Sequence, residues 1–421
     1  MHLHRAVLAL TIVIVISGLA QAQTPAEPKF SATGPDANAY GAAQNYPTPA
    51  KGRRLGPIDQ NMLVGFYSHF DQVRDLRPVP TSSSPSVLKR AAVEIAPVYG
   101  YDGRIKTAAD YLAAHPVTGL LIARGDTILY EHYQYGRSDR DRFMSQSMAK
   151  TVIGMLVGIA LSEGAIKSID DLVSVYVPEL AGTEYGKTPI RALLQMSSGI
   201  AYRETYQPGD DVTKMAQDLF PPDSAGAIAA VKQFNSRAAP PGTQFNYSSA
   251  DTEVLGLVLS RATHGTVANY FSTRIWQKLG AEADAGWAVD ATGQEIAFCC
   301  MVATLRDWAR LGLMLANDGQ WNGQQIVPKQ WVIDATSAKP GSYLAPGVLS
   351  SILGYGYQTW ISAGERRRFS LIGIQGQTML IDPVSKMVLV HTAVRLNFAG
   401  GPANVEVAGL WYAVLAQYGP Q

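Results

Sequence analysis

The sequence predicts an α/β (α+β) fold in which strands from both ends of the chain form one antiparallel sheet, flanked by helices and joined to a helix-rich subdomain. Three observations indicate this. The run "GLLIARGDTILYEHYQYG" has two β-rich halves around Gly125-Asp126, and "GQTMLIDPVSKMVLVHTAV" repeats the pattern around Asp382-Pro383. Hairpins have this signature. The segment between them has mainly helical patterns, which fits neither a sandwich nor a repeat array.

The helices follow from apolar periodicity and end signals. A short helix, "KTAADYLAA", precedes the first hairpin, and "SMAKTVIGMLVGIALSEG" predicts a long helix from Ser147 to Gly164, with Gly164 as its C-cap. In "TPIRALLQM", Pro189 stands at a helix start. The remaining helical patterns are "ADTEVLGLVLSRA", "ANYFSTRIWQKLG", "TLRDWARLGLMLANDG", "PKQWVIDA" and the C-terminal "PANVEVAGLWYAVLAQYG".

The N-terminus has the pattern of a secretory signal peptide. A short basic head is followed by an apolar run from Ala6 to Ile16 and by the small-residue spacing Ala20-Gln21-Ala22. We expect cleavage after Ala22 and a periplasmic or secreted protein. The alternative is a membrane anchor, but the run is short for a span of about 20 residues, so stable membrane insertion after cleavage is not expected.

The rest of the chain divides into two parts. Residues 23–104 are predicted to be an N-terminal arm and lead-in, rich in Ala, Pro, Gly and polar residues up to Pro57. Residues 105–421 have the patterning of a single large domain. The net charge is +1 with 16% charged residues, so composition provides no basis for nucleic-acid binding.

Neither a metal nor a cofactor is predicted. The sequence contains no HExxH or CxxC motif, and its few histidines are scattered. The two cysteines, Cys299 and Cys300, are adjacent, and an ordinary disulfide between neighbours would be severely strained. We therefore expect two small buried side chains there.

A lysine stands in the first turn of the most apolar internal helix. Helices that are apolar nearly all round lie in a core, so Lys150 must be desolvated, and it also lies at the positive end of the helix dipole. Both effects favour the neutral amine, which can accept a proton. Gly154 and Gly158, without side chains, would let another element approach this helix closely.

Ser147 precedes Lys150 by three residues, so the two side chains share one helix face. Ser147 also lies where backbone N–H groups are unpaired, which favours an oxyanion. The pattern indicates a nucleophile with its activating amine. Two alternatives stay open: S-x-x-K can occur by chance, and Ser147 could serve only as an N-cap. Ser145 is set aside because Met148 stands three residues after it.

Two later motifs could complete such a site. Tyr247-Ser248-Ser249 precedes a predicted helix, so Tyr247 could relay a proton and Ser249 could donate a hydrogen bond. Alternatively, one of these serines merely caps that helix.

The third motif should be a glycine beside the site at the start of a strand. Ile374-Gln375-Gly376 precedes a strand pattern. Because Gly376 has no side chain, a substrate backbone could lie close to it. The N–H of Gln377, the next residue, could bind an oxyanion. A rival is Lys339-Pro340-Gly341, which a strand pattern does not follow.

With the three motifs in this order, residues from about Ile105 to Tyr418 resemble the serine β-lactamase and penicillin-recognising family, in its class C β-lactamase-like branch. "RFMSQSMAK", "MSSGIAYRETY" and the Y-S-S motif are most similar to 6-aminohexanoate-dimer hydrolases and related esterases. The resemblance implies a β-lactamase-like fold. It also implies that Tyr202 and Tyr206 line the substrate site with Ile374 and Gln375, and that Asp210 or Asp211 contacts a substrate amine.

One position departs from the family. Ile374 stands where other members have a cation or imidazole that holds a β-lactam carboxylate, which favours neutral esters or amides as substrates. The expected activity is hydrolysis through an acyl-enzyme on Ser147, with Lys150 and Tyr247 moving its proton. The alternatives are a D-amino-acid peptidase or transpeptidase, a weak β-lactamase, or a catalytically silent envelope-binding protein.

His391 is predicted to be a strand histidine, since no G-x-S-x-G motif accompanies it to form a Ser–His–Asp triad. The oligomeric state stays open, with a homodimer as one option.

Overall fold

A computed structural model describes residues 30–53, 57–397 and 401–419 of the chain. The strands in these ranges are β1 (Leu76–Val79), β2 (Lys89–Arg90), β3 (Val98–Tyr101), β4 (Arg104–Thr107), β5 (Val117–Arg124), β6 (Thr127–Tyr133), β7 (Arg142–Met144), β8 (Ala285–Ala288), β9 (Met301–Thr304), β10 (Gln320–Trp321), β11 (Gln324–Gln325), β12 (Leu353–Tyr355), β13 (Trp360–Ser362), β14 (Phe369–Ile372), β15 (Thr378–Asp382) and β16 (Met387–Ala393).

The α-helices are α1 (Leu63–Ser68), α2 (Ala108–Ala114), α3 (Met148–Ser162), α4 (Ile190–Leu194), α5 (Asp211–Leu219), α6 (Gly226–Lys232), α7 (Ser249–Ala262), α8 (Val267–Phe271), α9 (Gln277–Leu279), α10 (Leu305–Ala316), α11 (Lys329–Ala335) and α12 (Pro402–Tyr418).

The main sheet joins the two ends of the chain, as predicted. Its eight strands have the order β12-β13-β14-β15-β16-β5-β6-β2, and both predicted hairpins, β5–β6 and β15–β16, are present. The strands β16 and β5 pair in antiparallel register, with His391 opposite Leu120. The edge pair β2–β6 is parallel. The predicted α/β (α+β) class with a mainly antiparallel sheet is confirmed.

A second sheet, of four strands in the order β1-β8-β9-β7, was not predicted. Two of its three pairings, β1 with β8 and β7 with β9, join strands that are more than a hundred residues apart in the chain. Its function in the fold is positional, because β7 ends at Met144, directly before the Ser145–Lys150 segment. The Ser145 N–H donates to the carbonyl of Met301 at 2.7 Å, which fixes this segment beside the end of β9.

Helix α3 is buried, as its all-round apolar sequence predicts. Other elements approach its two glycines closely. A methyl group on Gly158 would lie 2.2 Å from the Trp331 ring of α11, and one on Gly154 would lie 2.9 Å from the Tyr357 carbonyl. The expected close approach to this helix is therefore confirmed.

The other predicted helices are present as α2, α4, α7, α10, α11 and α12, and Pro189 directly precedes α4. The pattern "ANYFSTRIWQKLG" forms α8, a π-helical turn at Ser272–Trp276, and α9. Gly164, with a φ of 74°, follows the end of α3 in the left-handed conformation that ends many helices.

The residues before Ile105 contribute to the core. Tyr40, Tyr67 and Phe70 are buried in the main hydrophobic cluster, and β1 pairs with β8.

The predicted signal peptide, residues 1–22, lies outside the described residues. None of the helices in the described ranges combines the length and apolar character that a membrane crossing requires.

Candidate active site

Ser147 occupies the N-cap position of α3, but its side chain does not cap the helix. Its Oγ atom instead lies 2.8 Å from the Nζ atom of Lys150. Ser147 is half-buried, whereas Lys150 is fully buried. The serine hydroxyl can therefore meet a substrate on one side and the amine on the other. The alternative in which Ser147 serves only as an N-cap has no support in this geometry.

Three oxygen atoms lie within hydrogen-bond distance of the Nζ atom of Lys150. Besides Ser147, they are the Oγ atom of Ser249 at 3.1 Å and the carbonyl oxygen of Phe298 at 3.2 Å. Burial lowers the pKa of Lys150 to about 8, although the negative charges of Glu204 and Glu253 oppose this shift. The neutral amine is therefore more accessible near neutral pH than in an ordinary lysine, and it predominates above about pH 8, in the direction that the buried first-turn position predicts.

Glu204 fixes the orientation of Ser249. One carboxylate oxygen accepts the Ser249 hydroxyl at 2.9 Å, and the other accepts its backbone N–H at 2.7 Å. Since its proton is directed to Glu204, the Ser249 hydroxyl can only accept from Lys150. The neighbouring Ser248, not Ser249, caps α7, by accepting from the N–H of Asp251.

Tyr247 lies against the same amine. Lys150 Nζ is 5.1 Å from the centre of the Tyr247 ring, and the ring stacks on Trp360 with centroids 5.7 Å apart. Burial and the charge of Glu204 raise the pKa of Tyr247 well above its usual range, while a hydrogen bond with Ser147 acts in the opposite direction. Tyr247 is thus a phenol in the resting protein, better suited to donate a proton than to accept one.

The third motif borders the segment that ends at Ser147. A methyl group on Gly373 would lie 2.8 Å from both the Ser145 carbonyl and the Gln146 Cβ atom, so this segment runs directly beside the residues before Ser147. Ile374–Gly376 form a single 3-10 turn before β15. The N–H of Gln377 has only a long contact with the carbonyl of Ile374, at 3.5 Å. It is thus nearly free to donate to another group.

The side chains of this turn differ in their surroundings. Ile374 is half-buried, whereas the Gln375 amide oxygen accepts a hydrogen bond from the hydroxyl of Tyr67. Tyr67 in turn accepts from Gln146 at 2.7 Å, so the turn is tied to the residue that precedes Ser147. The rival motif, residues 339–341, lies in an exposed turn after α11 and belongs to no strand.

The tyrosines and aspartates that the resemblance placed around a substrate lie before α5 or at its first residues. The Tyr206 hydroxyl donates to Glu204 at 2.8 Å. Tyr202 is buried with its ring edge-on to Phe234, and its hydroxyl has no hydrogen-bond partner among the described residues. Asp210 caps α5, and Asp211 pairs with Lys214. The two aspartates thus have local structural partners.

The prediction for the cysteines was wrong. Cys299 and Cys300 are both buried, as expected, but a disulfide joins them. Cys300 has a φ of 69°, and in this turn of the left-handed backbone the two neighbouring sulfurs come together. The pair directly follows Phe298, whose carbonyl accepts from Lys150.

Sequence reasoning missed two acidic residues. Glu204 is two residues from Tyr206 and holds Ser249, while Glu253 on α7 accepts the N–H of Ala297 at 2.8 Å and so holds the segment that carries Phe298. Burial raises the pKa of Glu253 to about 8. The only signal in the sequence was a glutamate two residues before a candidate tyrosine, and this spacing indicates no contact unless the fold is known.

Within the described ranges, no group of three or more His, Cys, Asp and Glu side chains is placed to hold a metal ion.

Comparisons with known proteins identify the family of this chain. A family model described as Beta-lactamase matches residues 105–404. The 6-aminohexanoate-dimer hydrolase of Paenarthrobacter ureafaciens is 31% identical over 282 residues, which are 64% of this chain and 70% of that protein. The resemblance inferred from the three motifs is therefore confirmed.

Solved structures show the same fold. A Bacillus anthracis protein provisionally named 6-aminohexanoate-dimer hydrolase superposes with a TM-score of 0.79 at 26% identity, covering 89% of this chain and 100% of that one. A D-stereospecific amidohydrolase from a Streptomyces species superposes with a TM-score of 0.53 at 17% identity, covering 70% of this chain and 94% of that one. The second similarity shows the fold alone.

Proposed function

This chain belongs to the Beta-lactamase family and is a serine hydrolase, and we propose that it cleaves an ester or amide bond through an acyl-enzyme on Ser147. The observation that carries the proposal is the set of contacts around Lys150. A neutral amine has two N–H groups and one lone pair. The Phe298 carbonyl and the Ser249 hydroxyl can only accept from it, so they take the two N–H groups, and the lone pair faces the Ser147 hydroxyl.

The proposed reaction begins with proton transfer from Ser147 to Lys150 as the serine oxygen attacks the substrate carbonyl. The N–H groups of Ser147 and Gln377 stabilise the oxyanion of the tetrahedral intermediate. Tyr247 gives its proton to the leaving alcohol or amine and regains one from the Lys150 ammonium. A water molecule then gives a proton to the neutral amine of Lys150 and attacks the ester of Ser147. As the acid leaves, Lys150 returns this proton to the Ser147 oxygen, which restores the resting site.

The proposed substrate is a small amide or ester whose binding needs no positive charge at position 374. The first support is the similarity to a 6-aminohexanoate-dimer hydrolase, whose name describes an amide substrate. The second is Ile374, which provides no positive charge at the position where a β-lactam carboxylate would need one. The candidate substrate-binding residues remain Ile374, Gln375, Tyr202 and Tyr206.

We also propose that the protein is secreted or periplasmic, because residues 1–22 have the pattern of a secretory signal peptide.

Turnover of four substrates tests this function. The mature chain is incubated with a p-nitrophenyl ester, the linear 6-aminohexanoate dimer, a D-amino-acid peptide and a penicillin, beside Ser147→Ala and the matched variant Ser145→Ala. We expect ester or dimer hydrolysis by the wild type and Ser145→Ala, and none by Ser147→Ala. Preference for penicillin or the D-peptide would contradict the proposed substrate class. Equal rates for wild type and Ser147→Ala would contradict the mechanism.

A further inference from the structure

A buried histidine lies behind the third motif. His391 is on β16, opposite Thr378 of β15, and its Nδ1 atom is 2.6 Å from the carbonyl oxygen of Gly376. That carbonyl belongs to the same peptide group as the N–H of Gln377. The sequence indicated only a strand histidine at this position, and the proposed reaction so far gives it no task.

The protonation of His391 follows from its partners. A carbonyl oxygen can only accept, so Nδ1 must carry a proton and donate it to Gly376. Nε2 lies 3.0 Å from the hydroxyl of Tyr111, and Arg395 donates to that hydroxyl at 2.8 Å. Tyr111 therefore donates to Nε2, which holds the neutral ring in one tautomer. Burial and the positive charge of Arg395 lower the pKa of His391 well below its usual range, in agreement with a neutral ring.

The turn leaves this peptide little freedom to rotate on its other side. Gly376 has a φ of 97°, and a methyl group there would lie 2.9 Å from Ala393 and 3.0 Å from Arg395. The Arg395 N–H also donates to the Gln375 carbonyl at 3.2 Å. The orientation of the peptide between Gly376 and Gln377 is thus set by contacts with β16 and the residues that follow it.

We propose that His391 is a positioning residue for the oxyanion site, acting through the Gly376–Gln377 peptide. This inference rests on the proposed function, in which the Gln377 N–H binds the oxyanion. The bond from Nδ1 fixes the plane of the peptide, so that its N–H keeps one direction. A hydrogen bond accepted by the carbonyl also polarises the peptide and strengthens its N–H as a donor. Arg395 and Tyr111 extend this chain of hydrogen bonds away from Ser147.

A purely structural histidine would behave differently on substitution. In His391→Asn, the side-chain Nδ2 can take the place of Nδ1 and restore the donor, whereas His391→Leu fills the space without a donor. If the donor matters, Asn should retain activity and Leu should lose it. If only packing matters, the two variants should resemble each other or follow their thermal stability.

The experiment measures kcat and KM for the ester, together with the affinity of a boronic acid that forms a tetrahedral adduct on the nucleophilic serine. We expect His391→Leu to lower kcat by about 10- to 100-fold, which is less than the roughly 10²- to 10³-fold loss typical of removing an oxyanion donor itself. KM should change little, and boronate affinity should fall by a similar factor to kcat. His391→Asn should recover most of both. Tyr111→Phe keeps the aromatic ring of residue 111 but removes the hydroxyl that donates to Nε2 of His391. It should give a smaller loss, and it replaces His391→Leu in the test if that variant does not fold.

Three results would overturn the inference: a folded His391→Leu with wild-type kcat and boronate affinity, equal losses in Leu and Asn, or unchanged kinetics in Tyr111→Phe when Leu cannot be studied. Failure of the proposed function looks different, because the wild type itself would then neither turn over the ester nor bind the boronate.

Discussion

The Nζ atom of Lys150 lies 2.8 Å from the Oγ atom of Ser147, and its two other contacts fix the direction of its lone pair. The Phe298 carbonyl and the Glu204-held hydroxyl of Ser249 take the two N–H groups of the neutral amine. The amine lone pair therefore faces the serine. This relationship leads to predictions about the base, its pKa, the proton donor and the helix that carries them.

Lys150→Met should abolish most activity without unfolding the protein. Removing a general base typically costs 10²- to 10⁴-fold in rate, so kcat/KM for the ester should fall by about that factor. Replacing a buried charge by an apolar side chain of similar length should leave the melting temperature unchanged or raise it. Lys187→Met, at an exposed lysine, is the matched control. Activity within threefold of the wild type would remove Lys150 from the reaction.

The activity should depend on pH through Lys150. Its amine must be neutral to accept the serine proton, and burial lowers its pKa to about 8. The value of kcat/KM should therefore rise with pH along an acidic limb with an apparent pKa near 8, and level off above it. A profile measured from pH 5 to 10 tests this. A flat profile between pH 6 and 9 would contradict the account.

Glu204→Gln should move that limb to lower pH. The carboxylate of Glu204 favours the ammonium form and so raises the pKa of Lys150 against the effect of burial. Neutralising it removes this opposition, and the pKa of Lys150 should fall. Because the amide also holds Ser249 less well, the plateau rate should be lower. Glu179→Gln, at a surface carboxylate paired with Arg261, should leave the profile in place. A shift to higher pH in Glu204→Gln would refute this electrostatic role.

Tyr247→Phe should affect amides far more than activated esters. Its pKa is raised well above the usual range, so we assign it the role of proton donor to the leaving group. An amine must be protonated to leave, whereas p-nitrophenolate leaves without help. Amide hydrolysis should fall by about 10²-fold or more, and p-nitrophenyl ester hydrolysis by less than tenfold. Equal losses for both substrates would indicate that Tyr247 acts instead in the activation of Ser147.

Gly158→Ala should destabilise the fold at the helix that carries Ser147 and Lys150. The new methyl group would meet the Trp331 ring at 2.2 Å, and overpacking of a core typically costs about 1–3 kcal/mol. Chemical denaturation measures the loss. Gly182→Ala is the control, since a methyl group there meets nothing within 4 Å. Equal stability of the two variants would show that Trp331 can move away at no cost.

The predictable parts of this protein are local in the chain. The two hairpins, the buried helix and the Ser147–Lys150 pair follow from periodicity and from spacing on one helix face. The second sheet could not be predicted, because its four strands are short and two of its three pairings, β1 with β8 and β7 with β9, join distant parts of the chain. Short apolar runs of this kind do not specify their partners.

In the candidate site, too, the features that are local in the chain could be predicted and the long-range contacts could not. Tyr247 and the third motif could be identified by their order in a family pattern, but Glu204 could not, because its role depends on which serine it reaches in space. The Phe298 carbonyl is a backbone group and leaves no mark in the sequence. The disulfide was excluded on ordinary bridge geometry, whereas the left-handed turn at Cys300 brings adjacent sulfurs together.

The role of Ser147 as the nucleophile is tested most directly by the intact mass of the mature chain after reaction with a fluorophosphonate. We predict a single adduct on the wild type and on Ser145→Ala, located at Ser147 by peptide mapping. We predict no adduct on Ser147→Ala and a much slower reaction of Lys150→Met. A folded wild type that acquires no adduct, or an adduct that persists in Ser147→Ala, would contradict an acyl-enzyme on Ser147.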